Sequence, residues 1–119
     1  MNIQIVCIGK LKERYWRDAV AEYVKRLGAY CRLDIVELKE ARLPVKSSSA
    51  EEQSVKISEG KDILSRIKES DYVIVLDVRG KALSSEAFSD QLSNLLLTGK
   101  RRVVFVIGGS LGLSDEIIS

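Results

Sequence analysis

Three glycines, Gly108, Gly109 and Gly112, follow the most apolar run of the chain and precede Ser114, Asp115 and Glu116. Backbone without a Cβ approaches a ligand closely and turns its N–H groups toward it, so a strand, glycine loop and helix in succession can cradle an anionic or nucleotide ligand. The spacing here is G-G-x-x-G. It differs from the dinucleotide fingerprint G-x-G-x-x-G, it comes after the last strand-like run and not the first, and no acidic residue stands about 20 positions on to hold a ribose. A phosphate-binding G-x-x-x-x-G-K-[ST] motif does not occur either, which disfavours a nucleoside triphosphatase. A ligand loop and a simple tight turn fit the three glycines equally well.

The second group of interest is Asp77-Val78-Arg79-Gly80-Lys81. Asp77 would serve to orient a substrate or a cofactor amine, yet a carboxylate at a strand end more often caps a turn. Arg79 and Lys81 would meet phosphate, although an exposed turn carries such residues anyway. Asp115 is the other carboxylate near the same presumed pocket. The chain has no His, which removes the commonest general acid/base and metal ligand. Cys7 and Cys31 are too few for a disulfide framework or a metal site, and they read as ordinary free thiols. No metal is expected, and chemistry must rest on backbone groups, carboxylates, hydroxyls or a bound cofactor.

These residues need elements to hold them. Ile3, Ile5, Val6, Cys7 and Ile8 form a short apolar run ending in Gly9, the pattern of a parallel strand buried on both faces. From Glu13 to Leu27, Trp16, Ala19, Val20, Tyr23, Val24 and Leu27 recur at helical spacing, with Gly28 as a stop. Trp16 and Tyr23 lie on that stripe and are expected to pack in the core; a stacking platform for bases is the other reading of the aromatic residues Tyr15, Trp16 and Tyr23. Leu33, Ile35, Val36 and Leu38 suggest a second strand, followed by a loop over residues 40–49. Ser49 with Glu52 fits a capping box, and Ile57, Ile63, Leu64 and Ile67 give the buried stripe of the helix it opens. Tyr72 to Val78 predicts a third strand, Ser84 to Thr98 an amphipathic helix, Val103 to Ile107 a fourth strand, and Ser114 the cap of a further helix.

Strands alternating with helices imply βαβ units, hence an α/β fold with a mostly parallel sheet flanked by helices. Ligands then bind beyond the carboxyl ends of the strands, where the Asp77 and Gly108 loops fall. The 119 residues suit one domain. The longest apolar run is far short of the roughly 20 residues of a membrane helix, and the N-terminal run reads as a strand and not a signal peptide, so no membrane association and a cytoplasmic location are expected. Residues 1–32 hold seven Lys/Arg against three Asp/Glu, whereas residues 33–76 hold seven against nine. That basic N-terminal end hints at an anionic partner such as RNA, although a solvated helix face explains it as well.

The segment Ile5-Val6-Cys7-Ile8-Gly9-Lys10-Leu11-Lys12 with Tyr15-Trp16, then Glu22-Tyr23 and Lys25-Arg26-Leu27, resembles the opening of the RlmH (formerly YbeA) family of SPOUT methyltransferases. Val75-Leu76-Asp77 with Gly80-Lys81 and Ser84-Ser85-Glu86, and Phe105-Val106-Ile107-Gly108-Gly109-Ser110 with Gly112-Leu113, match the family in the same order. The resemblance covers essentially the whole chain. It implies an α/β knot fold, a homodimer, S-adenosyl-L-methionine as cofactor, and methylation of N3 of a pseudouridine in 23S rRNA of the assembled ribosome. By the same resemblance the cofactor contacts on this chain are Leu76 and Gly108, while no residue is marked out as the proton acceptor. The family's knot segment follows the helix that Ser114 begins, so residues 1–119 are expected to form a C-terminally incomplete SPOUT domain. The alternative is a non-catalytic α/β module that binds the ribosome or RNA.

Overall fold

The computed structural model describes residues 1–40, 48–99 and 102–108. Their elements run β1 (Asn2–Ile8), α1 (Arg14–Leu27), β2 (Arg32–Leu38), α2 (Ser49–Leu64), β3 (Tyr72–Leu76), α3 (Ser85–Leu97) and β4 (Arg102–Ile107). Every strand pair is parallel, and the sheet order is β2-β1-β4-β3. The expected parallel α/β sheet with flanking helices is therefore present. The expected loop over residues 40–49 and the expected helix at Ser114 fall largely or wholly outside the described residues.

Register decides which side chains share a face. Val6 lies level with Val36 and Val106, and Ile5 with Ile35 and Phe105. Val6, Ile8, Leu38, Val104 and Val106 join Ile63 of α2 in one buried cluster, so α2 covers that face. On the opposite face Phe105 meets Phe88 of α3 with ring centroids 6.0 Å apart, and α1 lies over β1 and β2. Placing α1 and α3 on one face and α2 on the other is what right-handed crossovers require for this strand order.

The two faces differ in how well they are covered. Val6 and Val104 are fully buried, while Ile3, Ile5 and Cys7 remain only half-buried. The expectation that β1 is buried on both sides thus holds for one side only. The same incomplete cover corrects the reading of α1: Trp16 is 54% and Tyr23 66% exposed, and no residue of the helix is buried. Only Val20 and Val24 are half-buried along its length. The helical period was right, but a stripe sinks only as far as the surface opposite allows.

In α2 the buried line runs through Glu59, Gly60 and Ile63, whereas Ile57 and Leu64 stay exposed. Of the expected stripe, Ile63 is buried and Ile67 packs against the core cluster, while Ile57 and Leu64 lie outside it. The capping box is also one residue earlier than expected. Ser48 has extended backbone, its hydroxyl accepts from the Glu51 N–H at 3.1 Å, and the Glu51 carboxylate accepts from the Ser48 N–H at 3.4 Å. Three consecutive serines offer three caps, and only the residue with non-helical backbone can serve.

A partly buried ion pair fastens the amino-terminal edge of the sheet. Arg102 Nε donates to Asp71 Oδ1 at 2.8 Å, its Nη2 donates to Asp71 Oδ2 at 2.5 Å, and the same Nη2 donates to the Arg66 carbonyl at 3.1 Å. The Lys68 N–H donates to Asp71 Oδ2 at 2.7 Å. A bidentate pair of this kind joins the turn before β3 to the start of β4 and helps hold their register. The Arg102 guanidinium holds the Asp71 carboxyl below its usual range, chiefly by this hydrogen bond.

Candidate functional site

Because all four strands run the same way, Gly9, Asp77 and Gly108 come to one edge of the sheet, the carboxyl edge. Gly9 leaves β1 with φ +88°, a conformation that favours glycine, and its N–H donates to the Leu38 carbonyl at 2.7 Å. That turn throws Lys10, Leu11 and Lys12 outward; all three are exposed.

After β3 the chain makes a tight turn ordered by Asp77. Its carboxylate accepts from the Arg79 N–H at 2.8 Å, and its carbonyl accepts from the Gly80 N–H at 3.0 Å. The Asp77 side chain is only 12% exposed and lies 3.6 Å from Arg79 Nε, while the Arg79 side chain is 57% exposed. The turn-capping reading of Asp77 is the one its geometry displays. Ser84 then caps α3, its hydroxyl accepting from the Ala87 N–H at 3.1 Å.

Leu76 and Ile107 are register partners across β3 and β4, and Gly108 is the next residue along β4. The two positions expected to contact a cofactor are thus brought to adjacent strand ends by backbone pairing alone. Leu76 is 52% and Ile107 40% exposed, an open apolar surface beside backbone groups. Gly109, Gly112 and Asp115 lie outside the described residues.

Gly108 also lies at the rim of a groove of about 800 Å³ between α1 and the sheet. Its floor is Ile5, Cys7, Ile35 and Ile107, its far wall Val20 and Val24. Leu76 is on the other side of β4 from it. The sequence did not disclose this groove, because the apolar stripe of α1 and the apolar strands each read as if they buried the other completely. Burial and the nearby Glu37 carboxylate push the Cys7 thiol up, so it is a poor nucleophile at neutral pH. Among the described residues no group of three or more Cys, Asp or Glu is arranged to hold a metal ion. None of the described helices is long and apolar enough to cross a membrane.

A parallel sheet with helices on both faces and glycine-bearing turns at its carboxyl edge is the architecture of α/β proteins that take ligands at that edge. Comparison with known proteins narrows the class: residues 1–119 match a family model described as "Predicted SPOUT methyltransferase". The chain is 49% identical over 119 residues to the ribosomal RNA large subunit methyltransferase H of Clostridium beijerinckii, covering 100% of this chain and 75% of the relative. Proteins of the same name from Clostridium acetobutylicum and Clostridium botulinum (strain Okra) are 50% and 48% identical with the same coverage. The chain belongs to the RlmH family of SPOUT methyltransferases.

Proposed function

We propose that the protein containing this chain methylates N3 of a pseudouridine in 23S rRNA of the assembled ribosome, with S-adenosylmethionine as donor. The observation that carries the reading is the near-50% identity along the whole chain to ribosomal RNA large subunit methyltransferases. The pairing of Leu76 with Ile107, which puts Leu76 beside Gly108, supports it, because Leu76 and Gly108 are the positions that the family resemblance assigns to the cofactor.

When bound, the cofactor supplies a methyl group activated by a sulfonium. Leu76 and Gly108 would hold it at the carboxyl edge: the leucine would give an apolar contact, and the glycine backbone that a ligand can approach closely. An apolar pocket with fixed backbone dipoles would favour a reaction that neutralises a sulfonium over a strongly hydrated one. The remaining task is to position two reactants in line, a large contribution to rate in itself. The proton acceptor for N3 is not assigned to any residue here. The reading includes a homodimer and a cytoplasmic location, where ribosomes are.

The relatives are longer than this chain, which spans 75% of their length. The test is methyl transfer to ribosomes lacking the modification, comparing the chain of 119 residues with one extended by the family's C-terminal segment. The extended protein should methylate and the short chain should not. Equal activity in both would show that the site has been misplaced, and no activity in either would overturn the proposed function.

A further inference from the structure

Among the described residues β3 lies at an end of the sheet order, so Leu76 is paired on one side only, with Ile107 of β4. The end of an edge strand opens readily unless something local directs the chain. Packing does not direct it here: residues 78–87 are all exposed, Val78 wholly so. The exception in the turn is Asp77, whose side chain is only 12% exposed.

A covered carboxylate is costly unless it is bonded, and this one is bonded to its own turn. Its Oδ1 accepts from the Arg79 N–H at 2.8 Å and lies 3.6 Å from Arg79 Nε, while the Asp77 carbonyl accepts from the Gly80 N–H at 3.0 Å. Those bonds leave little room: a Cβ on Gly80 would stand 3.0 Å from the Asp77 carbonyl oxygen. The turn is therefore closed by the acceptors of one residue and by the bare backbone of Gly80, and it begins at the residue that follows Leu76.

We infer that Asp77 is a positioning residue for the methyl donor: it holds the turn after β3 closed and so fixes the Leu76 strand end beside Gly108. The inference rests on the proposed cofactor site and adds what keeps one wall of it in place. Leu76 is 52% exposed, so its direction is set by the backbone on either side of it and not by its own packing. With the turn open, Leu76 takes other directions, and the apparent affinity falls in proportion to the fraction of molecules that remain closed. Asp77 acts through Leu76. A turn of this kind needs an acceptor oxygen and not a charge, so asparagine serves it as well as aspartate.

The experiment is calorimetric titration of the full-length protein with S-adenosylmethionine, for the wild type, Asp77→Ala, Asp77→Asn and Gly80→Ala, each checked for folding by far-ultraviolet circular dichroism. Loss of the turn's hydrogen bond in Asp77→Ala should weaken binding about three- to tenfold. Gly80→Ala presses on the same turn from its other end and should weaken binding too. Asp77→Asn keeps the acceptor oxygen and should bind like the wild type. In methyl transfer to ribosomes the loss should fall on KM for the cofactor, with kcat kept. Wild-type affinity in folded Asp77→Ala would overturn the role, since a turn that only stabilises the fold changes the melting temperature and not the affinity of the folded protein. Equal losses in Asp77→Asn and Asp77→Ala would also overturn it, by showing that the carboxylate charge meets the cofactor directly. Should Asp77→Ala not fold, Gly80→Ala decides alone, and wild-type affinity there counts against the role. Absence of binding by the wild type would instead overturn the cofactor reading on which the role rests.

Discussion

The part of the sheet beneath α2 and the part beneath α1 are made from the same kinds of residue and end in different states. On the α2 side, Ile63 reaches a cluster in which Val6, Val104 and Val106 have no exposed surface. On the α1 side, Ile35 is 38% and Ile107 40% exposed, and the aromatic residues of the helix point to solvent. The difference lies in the covering helices. From α2, Gly60 and Ile63 are buried, whereas from α1 the residues Arg17, Val20, Ala21 and Val24 line an apolar groove over the strands. Apolar composition shows what a face would gain by burial; the shape of the element opposite decides whether the gain is realised.

This contrast fixes where substitutions should matter. The largest effect is expected from Ile63→Ala, which opens a cavity among fully packed side chains and should cost about 2–5 kcal/mol in denaturant unfolding. A loss below 1 kcal/mol would mean that the α2 face is not the core. Next comes Asp71→Asn, which leaves the partly buried Arg102 guanidinium without its charged partner and should cost about 1–3 kcal/mol near neutral pH.

That second effect depends on pH in a definite direction. The folded Asp71 carboxyl titrates below its unfolded value, so its contribution is fully present above about pH 4 and is lost as the pH falls through the folded pKa. Unfolding measured from pH 7 down to pH 2 should show the gap between wild type and Asp71→Asn closing on the acid side. A constant gap would assign the loss to something other than the ionised pair.

The smallest effect is expected on the open face. Trp16→Ala should change stability by about 0.5 kcal/mol or less, as for a surface substitution, despite removing the largest side chain of the protein. A cost near that of Ile63→Ala would show that this stripe is covered in solution and would erase the contrast between the faces.

Much of this was legible in the sequence. All four strands and three helices appear as periodic runs, and their alternation is enough to require a parallel sheet. What was hidden depended on pairs of elements. The Ser48 cap differs from the expected Ser49 because a serine triplet leaves the register of the first turn open. The exposure of Trp16 and Tyr23 was hidden because helical spacing shows which residues share a face and not how closely that face approaches its neighbour. The Asp71–Arg102 pair joins residues 31 positions apart and has no local signature. Leu76 and Gly108 were named through family resemblance, and only the strand order brings them to adjacent ends.

The proposed position of the cofactor, where those two strand ends meet, is tested most directly by calorimetric titration with S-adenosylmethionine. The full-length wild-type protein should bind. Gly108→Val should weaken binding at least tenfold, because a branched side chain occupies the space through which the ligand approaches the backbone, while the far-ultraviolet circular dichroism stays that of the wild type. Unchanged affinity in a folded Gly108→Val protein would contradict the claim.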